Sequence, residues 1–155
     1  MTDYIKENLS GADCRIALDF TAFLRAQHLQ FVKDESACWK DKIYYWIKHN
    51  NTCVCFIALA DPDEPENRWT VWSDDIDSGL LSETAMPDDM RQIAWEHVDH
   101  CGNCGSCGGG RHKEICGKVF DDVCGCTFRF DNPNANELQF MKKLIEIQCR
   151  SGEKA

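Results

Sequence analysis

Trp39-Lys40-Asp41-Lys42-Ile43-Tyr44-Tyr45-Trp46-Ile47-Lys48-His49-Asn50-Asn51-Thr52-Cys53-Val54-Cys55-Phe56-Ile57-Ala58-Leu59-Ala60 is the stretch that decides how this chain folds. Side chains alternate across a strand, so Trp39, Ile43, Tyr45 and Ile47 fall on one side of its first half and Tyr44 and Trp46 on the other. His49-Asn50-Asn51-Thr52 then interrupts the apolar run, and Asn tolerates positive φ, so the spacing predicts a tight hairpin turn. The return from Cys53 to Ala60 is apolar in both alternating sets, the pattern of a strand covered on both faces and central in its sheet.

Outward from this hairpin, Gln30 to Lys33 predicts a short strand before it, and Arg68 to Trp72 a third meander strand after a loop holding Pro62 and Pro65. Residues 12–28 predict a helix, with Ile16, Phe20, Phe23 and Leu24 at the spacing of one face. Pro87 at a first helical position, followed by Asp88 and Asp89, opens a second helix with negative charge at its positive end. Met90, Ile93, Ala94 and His97 mark its inner face, and it is expected to run to about residue 100. Lys118 to Phe120 and Val123 to Phe130 predict one or two strands. Asn132-Pro133-Asn134 caps a last helix reaching about Cys149, with Leu138, Met141, Leu144 and Ile145 inward and Gly152 as its stop. The expected architecture is a single α+β domain over residues 1–155: an antiparallel meander framed by about three helices, holding a cysteine-rich metal-binding loop at 101–126.

The balance of 17 basic against 26 acidic residues gives a net charge of −9, which argues against nucleic acid as a partner. No apolar run approaches the roughly 18 residues of a membrane span, and Met1-Thr2-Asp3-Tyr4-Ile5-Lys6-Glu7 lacks the charged-then-apolar form of a secretory signal. A soluble, cytoplasmic protein is expected. Reduced thiols are the rule in that compartment, so the 11 cysteines are a poor match for a disulfide scaffold. Isolated Cys14, Cys38 and Cys149 read as small buried hydrophobes.

Cys101-Gly102-Asn103-Cys104-Gly105-Ser106-Cys107 is different, because a glycine-rich loop has no core in which to bury thiols. A C-x₂-C pair on a tight loop presents two sulfurs to one ion, and the glycines let backbone N–H groups turn toward the thiolates. Cys107 repeats the spacing, so the loop can supply three ligands, and the fourth must come from Cys116, Cys124 or Cys126. Cys124 is the nominated fourth ligand because it shares one strand face with Cys126, Phe128 and Phe130; Cys116 is its replacement. A thiolate-rich set favours structural Zn²⁺ over a catalytic site. An iron–sulfur cluster is the weaker alternative, since Gly108, Gly109, Gly110 and Arg111 stand where a ferredoxin-type x₃-C-P continuation belongs. His97 and His100, at the end of the second helix, read better as a core residue and a helix-end cation than as ligands.

Four of the five tryptophans lie on or beside the meander. Core packing accounts for most of these rings. Tyr44 and Trp46 share a side with Lys42 and Lys48, however, and with Trp72 they are the candidates for an aromatic, ligand-contacting face. Glu96, Asp74, Asp75 and Asp77 could serve such a cleft, although an acidic run is ordinarily a solvated loop. No G-x-S-x-G, H-E-x-x-H, P-loop or dinucleotide fingerprint occurs.

Trp69-Thr70-Val71-Trp72-Ser73-Asp74-Asp75, Ile93-Ala94-Trp95-Glu96-His97-Val98-Asp99-His100-Cys101-Gly102-Asn103-Cys104 and Gly117-Lys118-Val119-Phe120-Asp121-Asp122-Val123-Cys124 resemble small uncharacterised cysteine-containing proteins of clostridia and related bacteria, from about residue 20 onward. That resemblance implies no activity. The layout is also similar to small effector-binding domains of the gyrase-inhibitor type, a likeness of architecture that carries no residues across. Two functions are consistent with these readings. One is a zinc-stabilised binding module for an apolar or cationic small molecule or a protein partner; the other is a thiol- or metal-dependent enzyme, redox or hydrolytic, using the cysteine loop. The missing acid–base and nucleophile signatures favour the first.

Overall fold

Asn50 and Asn51 adopt φ values of 48° and 66°, the two left-handed residues that a type I′ turn requires, and His49 pairs with Thr52 across them. This turn joins β2 (Ile43–His49) to β3 (Thr52–Leu59) as the central antiparallel pair. The structure is a computed structural model, and it describes residues 1–36, 41–105 and 108–154. Cys38, Trp39 and Cys107 lie outside the described residues.

Five helices and seven strands are described: α1 (Thr2–Asn8), α2 (Gly11–Ala26), β1 (Gln30–Lys33), β2, β3, β4 (Trp69–Ser73), α3 (Ser78–Glu83), α4 (Asp88–Glu96), β5 (Val98–His100), β6 (Arg111–Ile115), β7 (Lys118–Asp131) and α5 (Ala135–Lys154). The class is α+β with an antiparallel sheet, in the strand order β1-β2-β3-β4-β7-β5 with β6 also on β7. About three helices were expected. α1 and α3, of 7 and 6 residues, are the two too short to carry a legible amphipathic period. Among the described residues no helix is long and apolar enough to cross a membrane.

The chain forms two compact units, Met1–Val71 with Phe130–Ala155, and Trp72–Arg129. In the first, β3 is buried on both faces, as its unbroken apolar run predicts: Val54, Cys55, Ile57, Ala58 and Leu59 are all in the core. Its register is Tyr44 opposite Ala58, Trp46 opposite Phe56 and Ile47 opposite Cys55, after which Lys48 faces Cys53 and Val54 is the extra residue of a bulge. Tyr45 and Ile47 point to the helix-covered side, where the Tyr4 ring of α1 lies 6.3 Å from that of Tyr45. α5 packs on α2 and β3 through Leu138, Met141, Leu144 and Ile145, all buried. Its start is a capping box: Asn134 Oδ1 accepts from the Glu137 N–H at 2.9 Å, and Glu137 Oε2 accepts from the Asn134 N–H at 2.9 Å. Gly152 does not end it, because the helix continues to Lys154.

In the second unit α4 stops at Glu96, and Pro87 is its N-cap rather than its first helical residue. His97 follows as the C-cap, its Nδ1 2.9 Å from the Ile93 carbonyl, and His100 belongs to β5 instead of a helix end. β6 and β7 are joined by the two-residue turn Cys116-Gly117, with φ of 49° and 85° and Ile115 opposite Lys118, a second type I′ hairpin. The acidic run after β4 is less solvated than its composition suggests. Asp77 Oδ1 caps α3 by accepting from the Leu80 N–H at 3.1 Å, and the Asp75 carboxylate anchors Lys113.

Candidate metal centre

β5 and β7 run antiparallel, but their register is not uniform. Val98 stands opposite Phe128 and His100 opposite Val123, so two steps along β5 match five along β7. The surplus on β7 falls at Cys124-Gly125-Cys126-Thr127, where Thr127 takes φ 70°. Bulges of this kind re-aim side chains. Here the Asp99 carboxylate and the Cys124 and Cys126 sulfurs come within 4.8 Å of one another, each residue half-buried. Two thiolates about 2.3 Å from one tetrahedral ion sit about 3.8 Å apart, so only a small closure separates this set from a zinc geometry.

Burial first, then the Asp99 carboxylate and the neighbouring Cys124, push the Cys126 thiol far above the ordinary thiol range, and its S–H donates to Asp99 Oδ2 at 3.3 Å. A carboxylate and two thiols converge here, and a bound metal ion would favour their deprotonated forms.

The bulge is held from both sides. Ser73 Oγ donates to the Cys126 carbonyl and accepts the Phe128 N–H at 3.1 Å. Lys113, a lysine only 9% exposed, donates from Nζ to Thr127 Oγ1 at 3.0 Å, to the Ile76 carbonyl at 2.9 Å and to the Asp75 carboxylate. Arg111 Nη1 reaches the other Asp75 oxygen at 2.7 Å. Burial pushes the Asp75 carboxyl up, but the hydrogen bond and charge of Lys113, then those of Arg111, outweigh it and hold the group below its usual range. Asp74 goes the other way, raised chiefly by burial.

The glycine-rich loop starts from the same strand. The Cys101 N–H donates to the Asp122 carbonyl at 2.7 Å, and Gly110 packs so tightly that a Cβ there would meet Asp122 Cα at 2.6 Å and Cys101 Cβ at 3.0 Å. Both ends of the loop are thus pinned at Asp122, two residues before Cys124. The Asn103 N–H points at Cys101 Sγ from 3.4 Å. Cys101 is half-buried and Cys104 exposed, and neither belongs to the Asp99 cluster among the described residues; Cys107 lies outside them. Cys116 is buried at its turn, beside Arg91. Asp99 has no counterpart in the sequence reading. Its only local signal is its place two residues before Cys101, and the register that brings it to Cys124 and Cys126 is not a local property.

On the first unit's sheet, the Tyr44, Trp46 and Phe56 rings cluster, with Trp46 4.8 Å from Phe56 and 6.4 Å from Tyr44. Tyr44 is buried and Trp46 half-buried; Trp46 Nε1 donates to Asp34 Oδ2 at 2.9 Å, and the Lys48 ammonium lies 5.8 Å from its ring centre. Trp72 belongs to the second unit, where the Arg129 guanidinium lies 5.1 Å from its ring centre. Trp46 and Trp72 therefore each already attract a cation from their own chain. Comparison of the chain with protein-family models, with curated proteins and with solved structures found no match.

Proposed function

We propose that this chain is a zinc-stabilised binding module in which β5, β7 and the glycine-rich loop share one ion. The observation that carries the reading is the convergence of Asp99, Cys124 and Cys126 within 4.8 Å on a bulge clamped by Ser73 and Lys113. Spacing alone assigned three ligands to the loop and Cys124 as the fourth. The geometry favours three from the strands, with the fourth ligand, a third thiolate, coming from Cys101, Cys104 or Cys107 on a loop stapled at Asp122. Four protein ligands close the coordination sphere, so the ion acts in folding rather than in catalysis. The binding function falls to the aromatic groups: the Trp46 face with Tyr44, and the Trp72 face, suit an apolar or cationic small molecule able to displace Lys48 or Arg129 from the ring.

Metal content and thiol titration of the purified protein test the site together. One tightly held zinc is expected, with about three thiols that become reactive when it is chelated, beyond those such as Cys55 that the fold itself buries. Asp99→Ala, Cys124→Ser and Cys126→Ser each lose the ion, whereas Cys14→Ala and Cys149→Ala retain it. A folded protein without bound metal, or a coloured iron-bearing one, overturns the reading. Trp46→Ala separates the binding function, since it removes ligand-induced stabilisation by organic cations while the zinc stays in place.

A further inference from the structure

The chain carries two C-x-C pairs, and the fold places them in different surroundings. Cys53 and Cys55 flank Val54 on β3, where Cys55 is fully buried and Cys53 Sγ donates to the Cys55 carbonyl at 3.4 Å. That pair belongs to the core, and no dissolved reagent reaches the Cys55 sulfur. Cys124 and Cys126 flank Gly125 on β7, both half-buried, with their sulfurs within 4.8 Å of each other.

A disulfide needs Cα atoms about 4.4–6.8 Å apart. Residues i and i+2 of a flat strand lie about 6.6–6.8 Å apart, at that upper limit. A bulge bends its strand and brings such residues closer, and the surplus of β7 over β5 falls at Cys124-Gly125-Cys126-Thr127. Gly125 carries no side chain and tolerates a further turn of the backbone. Ser73 holds the Cys126 carbonyl and the Phe128 N–H, so the closing movement falls to Cys124 and Gly125.

We propose that Cys124 and Cys126 form a redox pair that exchanges with a small disulfide such as glutathione disulfide, and that their bridge and a bound zinc ion exclude each other. The pair rests on the sulfur geometry alone; only the exclusion rests on the zinc reading. The Cys126 S–H is committed to Asp99 Oδ2 at 3.3 Å, so Cys124 meets the oxidant. Its thiolate, formed by giving a proton to water, attacks one sulfur of glutathione disulfide and expels a glutathione thiolate. The Cys126 sulfur then attacks that of Cys124, its proton passes to the Asp99 carboxylate, and the second glutathione leaves as thiolate. Water carries both protons to the departing thiolates. Two electrons pass from the protein to the oxidant, giving one protein disulfide and two glutathione thiols. The bridge takes two of the four zinc ligands, so it releases the ion.

Tryptic mapping of the full chain tests this, because cleavage after Lys118 and Arg129 yields a peptide, Val119–Arg129, whose only cysteines are Cys124 and Cys126. Reduced protein, one portion loaded with zinc and one stripped by chelator, is incubated with glutathione disulfide, then unfolded, alkylated and digested. In the stripped portion that peptide is expected to lose two hydrogens and take no alkyl group, while the peptide holding Cys53 and Cys55 stays fully alkylated. Excess reduced glutathione should reverse the change. In the loaded portion a chromophoric chelator should detect one zinc released for each bridge formed. Cys126→Ser should instead trap glutathione on Cys124. Both sulfurs alkylated in the wild type, a glutathione adduct that goes no further, or a bridge from Cys124 to another peptide overturns the pair. Zinc retained on bridged chains overturns the exclusion. A chain that binds no zinc removes the zinc reading and the exclusion with it, while the stripped portion still decides the pair.

Discussion

In the unit formed by Met1–Val71 and Phe130–Ala155, the sheet and helices meet through Ile47, Ile57, Leu59, Phe130, Phe140 and Leu144, all fully buried. In Trp72–Arg129 the buried set includes Ser73, Lys113 and Thr127, and a half-buried carboxylate and two thiols stand together on a bulge. Apolar burial is non-directional and tolerates small shifts. A lysine sharing three acceptors, or a carboxylate and thiols around one ion, is directional and fixes single positions. Apolar contacts thus join the first unit's sheet and helices, whereas directional polar contacts hold the bulge of the second.

That contrast can be broken most sharply at the proposed zinc site. Chelation, or Cys124→Ser, is expected to cost several kcal/mol, because site formation is coupled to folding. Hydrogen exchange should show the loss in β5, β6 and β7 while the β2–β3 amides keep their protection. Equal loss in both units erases the distinction. Next in size, Leu144→Ala should cost about 3–4 kcal/mol by denaturant titration, through the cavity it leaves under α5, without releasing metal. Lys113→Met should cost less, about 2–3 kcal/mol, since Asp75 keeps Arg111 and is half open to water, yet it should weaken metal retention by loosening Thr127.

A pH dependence sharpens the same point. The Asp75 carboxyl is held below its unfolded value of about 3.9, so its stabilisation is complete above that value and is lost as pH falls through the folded one. The stability difference between wild type and Asp75→Asn should therefore shrink on acidification. The smallest effect belongs to the first unit's turn. Asn51→Ala forces an ordinary residue to φ 66° and should cost about 1 kcal/mol, whereas Asn51→Gly should cost nothing or stabilise the hairpin.

The hairpin, the central place of β3, the helix over 11–26 and the inward face of α5 could all be read from the chain, because each rests on a period or a turn signal within a few residues. α1 and α3 could not, being too short for a period. β5 and β6 were hidden for another reason: three- and five-residue strands flanking a glycine-rich loop acquire their identity from β7, their partner. Cys124 and Cys126 were recognisable as paired candidates from their alternation. Asp99 was not, since only the uneven register of β5 on β7 carries its carboxylate to them. Lys113 looks from its sequence neighbours like a surface cation, and is buried because Asp75, Ile76 and Thr127 reach it from 38, 37 and 14 residues away. Local chemistry determined which segments of this protein become strand, turn and helix. Which polar groups meet was decided by tertiary structure, because directional contacts depend on register and bulges that no short stretch of sequence encodes.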